Sequence, residues 1–476
     1  MIHRALTRMV AGVKYFIHPQ ILGIVAEVFS PEIMQPVVLI DSYTLQAGSD
    51  KVAAQLDFFD RVDDVYSAAF GETIVAIDGS AAWRIYRDDL DAFIFGVVPQ
   101  DVLKPQTFDA ITLVDDDGIW RNIAVPSRLY SNYSPDRPLS GARLCLKDIY
   151  RLKDRECRTR NEASGPWSSH GRKDQMTQFA SSDEPTDQWI DYHCPFNPRG
   201  DLYQSPSDSS SGAAAALAGY PWLDYSIAGD SAGSVRAPAT CNVSSDPHSQ
   251  REQHSNQISN QNSLPSRLLS HSNPKHQAMV DEFVSVLEKF LGTKRLEFSI
   301  AERWAQCPPS GLEDQPLKKY LPKSAFWSLC HDYYHEFDSC RDHYKAKFGT
   351  DAYEGPVVQY RWALGKVVTT EDYNTYMNEL KTFRDWFNEN VFTANPETGS
   401  EAIMIMPYGS ANPKYRDYPN EAPSSSGTIG EKFISPVLHM PRLVLPFGQM
   451  PYQSRVSGRL EHRPIGSTIV GAKGTD

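Results

Sequence analysis

The stretch GDSAGSVRAPA, residues 229–239, constrains the fold of this chain more than any other part of the sequence. Its small side chains let the backbone turn sharply, so that several amide groups can approach one point. We also expect a helix to follow this stretch, and the partial positive charge of its N-terminus would lie at the same point. The stretch therefore predicts one of two structures around Ser234: a glycine turn that caps a helix, or a seat for a reactive hydroxyl.

A serine hydroxyl needs two kinds of neighbour before it can attack a carbonyl group. It is a poor nucleophile at neutral pH, so a base must take its proton. The oxyanion that forms needs hydrogen-bond donors. The backbone amides of Ser231, Ala232 and Gly233, just before Ser234, are candidates for these donors.

Two earlier stretches contain candidates for the base and for a proton relay. LCLKDIY, residues 144–150, places Lys147 in an apolar run that predicts the end of a buried strand, where burial disfavours the ammonium form. SPSDSSSGAAAALAG, residues 205–219, places Ser210 before an alanine run that predicts a helix packed closely on a sheet. Each stretch alone also fits an ordinary structure: an edge lysine, and a serine-rich loop before a helix.

The composition limits the classes of partner. A length of 476 residues with 41% hydrophobic residues predicts an ample core, in two domains or in one large α/β body with a smaller attachment. The net charge of −12 gives no reason to expect a nucleic-acid partner. The first residues lack the apolar core of a signal peptide and no run approaches ~18 apolar residues, so no membrane partner is expected.

The cysteines and histidines give no strong indication of a metal. The seven cysteines are scattered without a CxxC pair, so we expect reduced thiols, a cytoplasmic location and no cofactor, with organelle import as the alternative. His331 and His335 in HDYYH lie one helical turn apart, which is a spacing of metal ligands. Apolar neighbours such as Phe326 and Trp327 favour the packed face of a helix instead.

Two regions differ in their patterns. Residues 1–135 mix strand-like runs with a helical pattern at 52–70, which predicts a small α+β domain of unknown role. An Asp-Gly pair within residues 111–125 predicts a tight hairpin between two alternating strands. Residues 136–476 contain the serine and lysine stretches and predict a mixed or parallel sheet with helices on both faces.

A polar segment interrupts the second region. In residues 242–277, 19 of 36 positions are Ser, Asn or Gln and none is aromatic, so we expect this segment to be disordered. A helix is expected at 279–291, bounded by a proline and a glycine. Further helices are expected around 324–346 and 371–389, and strands separated by glycine turns near the end of the chain.

The order of Lys147, the SSG of residues 210–212 and the stretch around Ser234 resembles the amidase signature family of serine hydrolases. Fungal amidase-like members are also similar in three other stretches: CPFNPRGDLYQSP (194–206), PVLHMPRLVLPFGQMPYQSRVSGR (436–459) and GSTIVGAKGTD (466–476). The resemblance spans residues 140–240 and, more loosely, 278–476. It implies an α/β amidase-signature fold, with a mixed central sheet flanked by helices, and hydrolysis of the carbon–nitrogen bond of a carboxamide.

The resemblance also implies a Ser-cisSer-Lys triad that works through an acyl-enzyme. By position, Ser234 would be the nucleophile and Lys147 would be the base. Ser210 would be the bridging serine, held after a cis peptide bond from Ser209. The bridging hydroxyl would pass the proton of the nucleophile to the neutral amine.

Other residues would support the triad. The oxyanion would be held by the amides of Ser231, Ala232, Gly233 and Ser234. Asp230 and Arg236 would brace this loop, and Ser211 would brace the cis-peptide turn.

The chain departs from the family pattern in three respects. Ser207 and Asp208 stand where members usually carry glycines, and Ala232 replaces the first of two glycines before the nucleophile. A Cβ there can shift the amides, and a misplacement of about 1 Å can cost on the order of 100-fold in rate. The polar segment 242–277 replaces a glycine-rich core strand, and the chain stops where relatives continue into a last helix, as in a disrupted or truncated member.

Three functions therefore stay open: amide hydrolysis through Ser234, a binding or interaction role for a catalytically impaired relative, and an ester hydrolase or acyl transferase with the same acyl-enzyme. The expected ligand is a small-molecule amide, from fungal secondary metabolism or nitrogen scavenging, and a homodimer is a possible assembly. Four aromatic residues are candidates for a pocket wall: Tyr203, Trp327, Tyr360 and Phe447.

Overall fold

The computed structural model of the chain divides into two compact units. The first unit comprises Met1–Met176 and Ala215–Ala228, and the second comprises Thr177–Ala214 and Gly229–Asp476. The residues that the structure describes are 6–20, 37–40, 44, 46, 48–72, 74–75, 82–102, 107–114, 118–129, 135–136, 138–150, 171–182, 185–190, 192–242, 264–265, 273–392, 394–395, 399–400, 402–409, 411–419, 421–425 and 429–473. The domain boundary at residue 135 stays a prediction; the strand that ends at Lys147 pairs inside the first unit.

The first unit is built on two sheets. Its described elements are α1 (Ser49–Val62), β1 (Leu6–Val10), β2 (Val13–Ile17), β3 (Val38–Leu39), β4 (Ile74–Val75), β5 (Ala82–Arg87), β6 (Phe93–Pro99), β7 (Phe108–Ile111), β8 (Leu113–Val114), β9 (Arg121–Pro126), β10 (Leu144–Lys147), β11 (Gly171–Asp174) and β12 (Tyr225–Ile227). One sheet is antiparallel, in the order β1-β2-β5-β9-β8. The other, β12-β10-β11-β6-β7, is mixed, because β10 pairs parallel with β11 and β12 while β6 pairs antiparallel with β11.

The predicted pairing of two strands is present in the antiparallel sheet. β8 and β9 pair antiparallel with Val114 opposite Arg121, and Gly118 in the connection has φ +71°. The Asp of the predicted tight turn lies outside the described residues. Phe16 and Trp83 on the neighbouring strands are buried in the same core. The helix predicted at 52–70 is shorter, because α1 ends at Val62 and a separate 3-10 turn covers Ala68–Glu72.

The second unit is rich in helices. Helix α2 (Ser211–Gly219) begins in this unit and ends in the first. The other described elements are α3 (Arg236–Asn242), α4 (Pro274–Leu291), α5 (Ile300–Gln306), α6 (Leu317–Tyr320), α7 (Ser324–His335), α8 (Asp338–Phe348), α9 (Pro356–Val367), α10 (Thr370–Asn390), α11 (Ile434–Leu438), β13 (Leu264–Pro265), β14 (Arg295–Leu296), β15 (Ala394–Asn395), β16 (Gly399–Ser400), β17 (Met404–Tyr408), β18 (Arg442–Gln453) and β19 (Leu460–Val470). An antiparallel sheet in the order β17-β19-β18 corresponds to the strands predicted near the end of the chain. The predicted α/β class is confirmed, because the described residues form a mixed sheet, antiparallel sheets and helices.

The helix boundaries follow their capping signals. The Asn273 side chain accepts hydrogen bonds from the first amides of α4, and Gly292 ends that helix in the left-handed conformation. Thr369 and Asp372 form a capping box at the start of α10. The single helix predicted around 324–346 is two helices, α7 and α8, which meet at Phe337.

Most of the polar segment predicted to be disordered, residues 243–263 and 266–272, lies outside the described residues. Along the described ranges, none of the helices combines the length and the apolar character of a membrane span. The core of the second unit is a cluster of aromatic and aliphatic side chains contributed by several helices and β17, among them Trp304, Phe383, Trp386, Phe387 and Leu438.

One glycine permits two of these helices to pack. Gly365 in α9 lies against α7, and a Cβ at this position would overlap the carbonyl oxygen of Cys330 and crowd Tyr334. Because the nearest atoms belong to backbone, the neighbour cannot rotate away. The close approach of α7 and α9 therefore requires glycine at this position.

We expect Gly365→Ala to destabilise the second unit by about 1–3 kcal/mol through overpacking, although an alanine usually stabilises a helix by about 1 kcal/mol relative to glycine. The free energy of unfolding in urea measures the effect. Gly430→Ala is the control, because a Cβ at Gly430 meets no atom within 4 Å. A Gly365→Ala protein as stable as the control variant would contradict this packing argument.

Candidate active site

The stretch around Ser234 is a loop organised by one carboxylate. We call residues 229–235 the serine loop. Asp230 Oδ1 accepts the amide of Gly233 at 2.6 Å, and Oδ2 accepts the amides of Val235 and Arg236 at 3.1 Å each. The Arg236 guanidinium adds two further bonds of 2.9 Å, one to each oxygen. This arrangement curls the loop around the carboxylate, so its shape depends on an ion pair between a buried arginine and a half-buried aspartate.

The same arginine connects the serine loop to a distant part of the second unit. Its Nη1 donates to the carbonyl oxygen of Glu431 at 3.4 Å, and its Nη2 donates to that of Lys432 at 2.8 Å. Burial alone would raise the pKa of Asp230, but the bonds and the charge from Arg236 outweigh it and hold this pKa below its usual value. Burial would lower the pKa of Arg236, but Asp230 outweighs it and raises this pKa.

The second serine stretch lies directly beside the serine loop. We call residues 207–211 the serine turn. The amide of Ser210 donates to the carbonyl oxygen of Ser234 at 3.1 Å, so the two predicted reactive serines are neighbours. Ser210 is 1% exposed, and its hydroxyl has no hydrogen-bond partner among the described residues. A buried hydroxyl without a partner is unusual and is a candidate for a functional group.

The predicted cis peptide bond between Ser209 and Ser210 is wrong, because no peptide bond among the described residues is cis. The turn is shaped instead by Ser207, which has φ +73°, and by Asp208, whose Oδ1 accepts the Ser209 amide at 3.1 Å. The Ser211 hydroxyl is buried without a partner in the described part of the chain, so it makes no bracing hydrogen bond.

The predicted oxyanion donors differ in availability. The Gly233 amide already donates to Asp230, so this hydrogen is engaged by a carboxylate and is not directed at a ligand. Within the described ranges, the amides of Ser231, Ala232 and Ser234 donate to no protein acceptor. The prediction of an oxyanion hole is thus corrected at Gly233, whose contribution is the positive φ of +105° that lets the loop curl.

Tyr408, which the sequence did not single out, packs against the serine loop. Tyr408 at the end of β17 is 3% exposed, and its hydroxyl occupies the space that a Cβ on Gly233 would need. The guanidinium carbons of Arg236 and Arg442 lie 5.6 and 4.9 Å from the centre of its ring. Burial raises the pKa of Tyr408, and burial with the neighbouring Arg236 charge lowers the pKa of Arg442 to about 10.

A pocket of about 300 Å³ lies in the second unit beside these serines. Its wall consists of Ser182, Ser207, Asp208, Ala237, Phe326, Val357, Tyr360, Arg361, Lys414, Glu421, Pro423, Ser424 and Lys432. Ser207 and Asp208 belong to the serine turn, and Ala237 follows the serine loop in α3. Of the four predicted wall residues, Tyr360 lines this pocket, whereas Tyr203, Trp327 and Phe447 do not.

The predicted base lies in the first unit. Lys147 is the last residue of β10 and is 1% exposed, as the apolar run predicted. Its partner across the parallel pair of β10 and β11 is Asp174, which sequence reasoning missed because no local pattern marks it. Asp174 is completely buried, and its Oδ2 accepts the Ser226 hydroxyl at 3.2 Å. Burial raises the pKa of Asp174 to about 7, although hydrogen bonds and nearby lysines act in the opposite direction.

The histidine pair packs as the face of a helix. The His331 ring stacks on Tyr373 with a centroid distance of 4.2 Å, and His335 Nδ1 lies 3.0 Å from Asp338. Within the described ranges, no group of three or more His, Cys, Asp or Glu side chains is arranged to hold a metal ion. The six described cysteines are free thiols.

Comparison with known proteins gives partial similarities of structure. No family model matches the chain. Allophanate hydrolase of Kluyveromyces lactis is similar over 90% of this chain and 68% of its own, with 12% identity and a TM-score of 0.49. 6-Aminohexanoate cyclic dimer hydrolase is similar over 70% of this chain and 82% of its own, with 15% identity and a TM-score of 0.46. A bacterial aryl acylamidase of the amidase signature enzymes is similar over 70% of this chain and 79% of its own, with 12% identity and a TM-score of 0.44.

Gly233→Ala is expected to destabilise the protein by about 1–3 kcal/mol, because a Cβ combines the strain of a positive φ with overlap of the Tyr408 hydroxyl. Tyr408→Phe removes that hydroxyl, which has no hydrogen-bond partner among the described side chains. The double variant should therefore regain the stability lost to the overlap, but not the stability lost to the backbone strain. Urea unfolding of the two single variants and the double variant measures this coupling, and strictly additive losses would contradict it.

Asp174→Asn is expected to stabilise the protein above pH 7. The folded state raises the pKa of Asp174 from 3.8 to about 7, so folding favours the protonated carboxyl. The wild type therefore loses stability as the pH rises from 3.8 to about 7. The difference in unfolding free energy between Asp174→Asn and wild type should grow over this pH range and stay constant above it. Urea unfolding at several pH values tests this, with the exposed Asp136→Asn as control. A gap that does not change with pH would contradict it.

Proposed function

We propose that this chain is an amide hydrolase of the amidase signature family, with Ser234 as nucleophile, Ser210 as bridging serine and Lys147 as base. The order of the three motifs supports this assignment. The observation that carries it is the hydrogen bond of 3.1 Å from the Ser210 amide to the Ser234 carbonyl, which holds the nucleophile beside a buried hydroxyl without a partner in the described chain.

The proposed reaction begins at the serine loop. The Ser234 Oγ attacks the carbonyl carbon of the substrate amide, and its proton moves to the Ser210 Oγ as that hydroxyl gives its own proton to the uncharged amine of Lys147. The tetrahedral oxyanion is stabilised by the amides of Ser231, Ala232 and Ser234. Each donor of this kind contributes about 3 kcal/mol to lowering the barrier.

The second half of the proposed reaction uses the relay in reverse. The protonated Lys147 returns a proton through Ser210 to the leaving amine as the carbon–nitrogen bond breaks, which leaves an acyl ester on Ser234. Water then attacks this ester as the relay takes its proton, and the relay returns the proton to Ser234 Oγ when the ester bond breaks and the acid leaves. No other group is required to balance the protons.

The location of Lys147 fits a base that is neutral when it acts. It is 1% exposed at the end of β10, and burial disfavours an ammonium group. Burial raises the pKa of Asp174, its neighbour on β11, which weakens the negative charge beside the lysine. The assignment of Lys147 rests on the motif order and on this burial.

Two specific observations favour a second candidate, a binding role in a catalytically impaired relative. Asp208 is 5% exposed in the serine turn, where its charge would oppose an oxyanion. The Gly233 amide is engaged by Asp230 and is lost as a donor. An ester hydrolase or acyl transferase would use the same acyl-enzyme. The cytoplasmic location and the homodimer stay predictions.

A fluorescent fluorophosphonate tests the proposed nucleophile, because it reacts with an activated serine only. We expect wild type to be labelled and Ser234→Ala to lose the label. Lys147→Met should slow labelling by on the order of 100-fold or more, which is the usual contribution of a general base. Ser310→Ala, at an exposed position, should label as wild type does.

The same experiment separates the alternatives. A folded wild type that takes up no label would contradict the hydrolase and favour the binding role. Labelling of Ser234→Ala at the wild-type rate would contradict the choice of nucleophile. Where labelling is as expected, product analysis with an amide and the matching ester of the same acid distinguishes an amidase from an esterase.

A further inference from the structure

Two chemically different groups of residues line the pocket beside the serines. Asp208 of the serine turn and Lys432 form one group, which lies next to the serine loop, since the Lys432 side chain comes within 3.7 Å of the Cβ position of Gly233. Helix α9 contributes the other group, Val357, Tyr360 and Arg361, which share one face of the helix. The pocket wall thus includes residues next to the proposed reaction site and a cation on α9.

Within the described part of the chain, the charges that line the pocket are paired at the serine turn and unpaired on α9. Near the serines, Lys432 Nζ lies 4.0 Å from Asp208 Oδ2, so these two charges offset each other. The guanidinium of Arg361 has no ion-pair or hydrogen-bond partner among the described residues, and its contact is the Tyr333 ring at 5.8 Å. A half-buried guanidinium without an acidic partner is available to a ligand.

Two other charged residues line the pocket. Lys414 and Glu421 are both exposed, so water screens their charges more strongly than the charge of a half-buried group. The apolar part of the wall includes Phe326, Val357 and the ring of Tyr360. The pocket wall thus combines apolar side chains with the half-buried guanidinium of Arg361.

We infer that the pocket binds an amide substrate by a carboxylate at the end remote from the scissile bond, with Arg361 as the residue that determines this specificity. The identification of the ligand as a substrate rests on the proposed function. A guanidinium presents two parallel N–H groups that match the two oxygens of a carboxylate. The substrate class is therefore a small carboxamide with an apolar or aromatic middle and an anionic end.

Binding can be measured without turnover in Ser234→Ala. Two probes of the same shape are 4-acetamidobenzoate and 4-acetamidobenzamide, which differ in the negative charge. We expect the carboxylate probe to bind about tenfold more tightly, as one charge-assisted pair would give. Calorimetric titration at low salt measures both dissociation constants, and the difference should shrink as salt is added.

Variants of α9 assign the preference to one side chain. Arg361→Met in the Ser234→Ala background should remove the preference for the carboxylate probe. Arg361→Lys keeps the charge but not the planar pair of donors, so it should retain part of the preference. Lys366→Met is the matched control, because it removes one positive charge from an exposed position of the same helix outside the pocket wall.

The outcomes distinguish this inference from the proposed function. Equal binding of the two probes to Ser234→Ala, or no binding of the carboxylate probe, overturns the inference even if wild type reacts with fluorophosphonate. A preference that survives in a folded Arg361→Met protein also overturns it. A preference that depends on Arg361 supports the carboxylate site, and a wild type without labelling would then overturn only the hydrolase.

Discussion

The ion pair of Asp230 and Arg236 is the interaction on which the rest of the site depends. Withdrawing a carboxylate from water is costly unless it is paired and hydrogen-bonded, and half-buried Asp230 accepts bonds from three amides and two from a guanidinium. The loop conformation is thereby coupled to the charge, because each amide that turns inward stabilises the carboxylate. Removing either partner would leave an uncompensated charge and would release the loop that carries Ser234.

The same pair connects regions that are far apart in sequence. Arg236 binds the carbonyl oxygens of Glu431 and Lys432, and Lys432 in turn faces both Gly233 and Asp208. Tyr408 supports the loop from the sheet, between the guanidinium groups of Arg236 and Arg442. The serine loop is therefore in contact with its own carboxylate, with the 431–432 segment and with β17.

Local patterns in the sequence predicted the parts of the fold that local forces determine. The hairpin of β8 and β9, the caps of α4 at Asn273 and Gly292, and the strand that ends at Lys147 all follow from short-range signals. The serine turn was different: the resemblance implied a cis peptide bond, whereas the described turn has trans bonds, a positive φ at Ser207 and a hydrogen bond from the Ser209 amide to Asp208.

Tertiary contacts account for what the sequence left out. Asp174 faces Lys147 only because two strands pair in parallel, and Tyr408 meets Gly233 across the second unit. The hydrogen bond from the Gly233 amide to Asp230 joins residues only three positions apart. It could not be predicted, because a run of small side chains does not indicate which amides point toward the carboxylate. The pocket wall on α9 could not be predicted because a helical face with Tyr360 and Arg361 also fits an ordinary surface helix.

The wall of the pocket and the serine loop are supplied by separate segments of the chain. Val357, Tyr360 and Arg361 occupy one face of a single helix, and that helix contributes nothing to the hydrogen bonds of Asp230. Replacements on this face would alter ligand preference while the reactive serines keep their arrangement. Ligand specificity can thus change through a few substitutions on α9, while the residues proposed to cleave the bond stay the same.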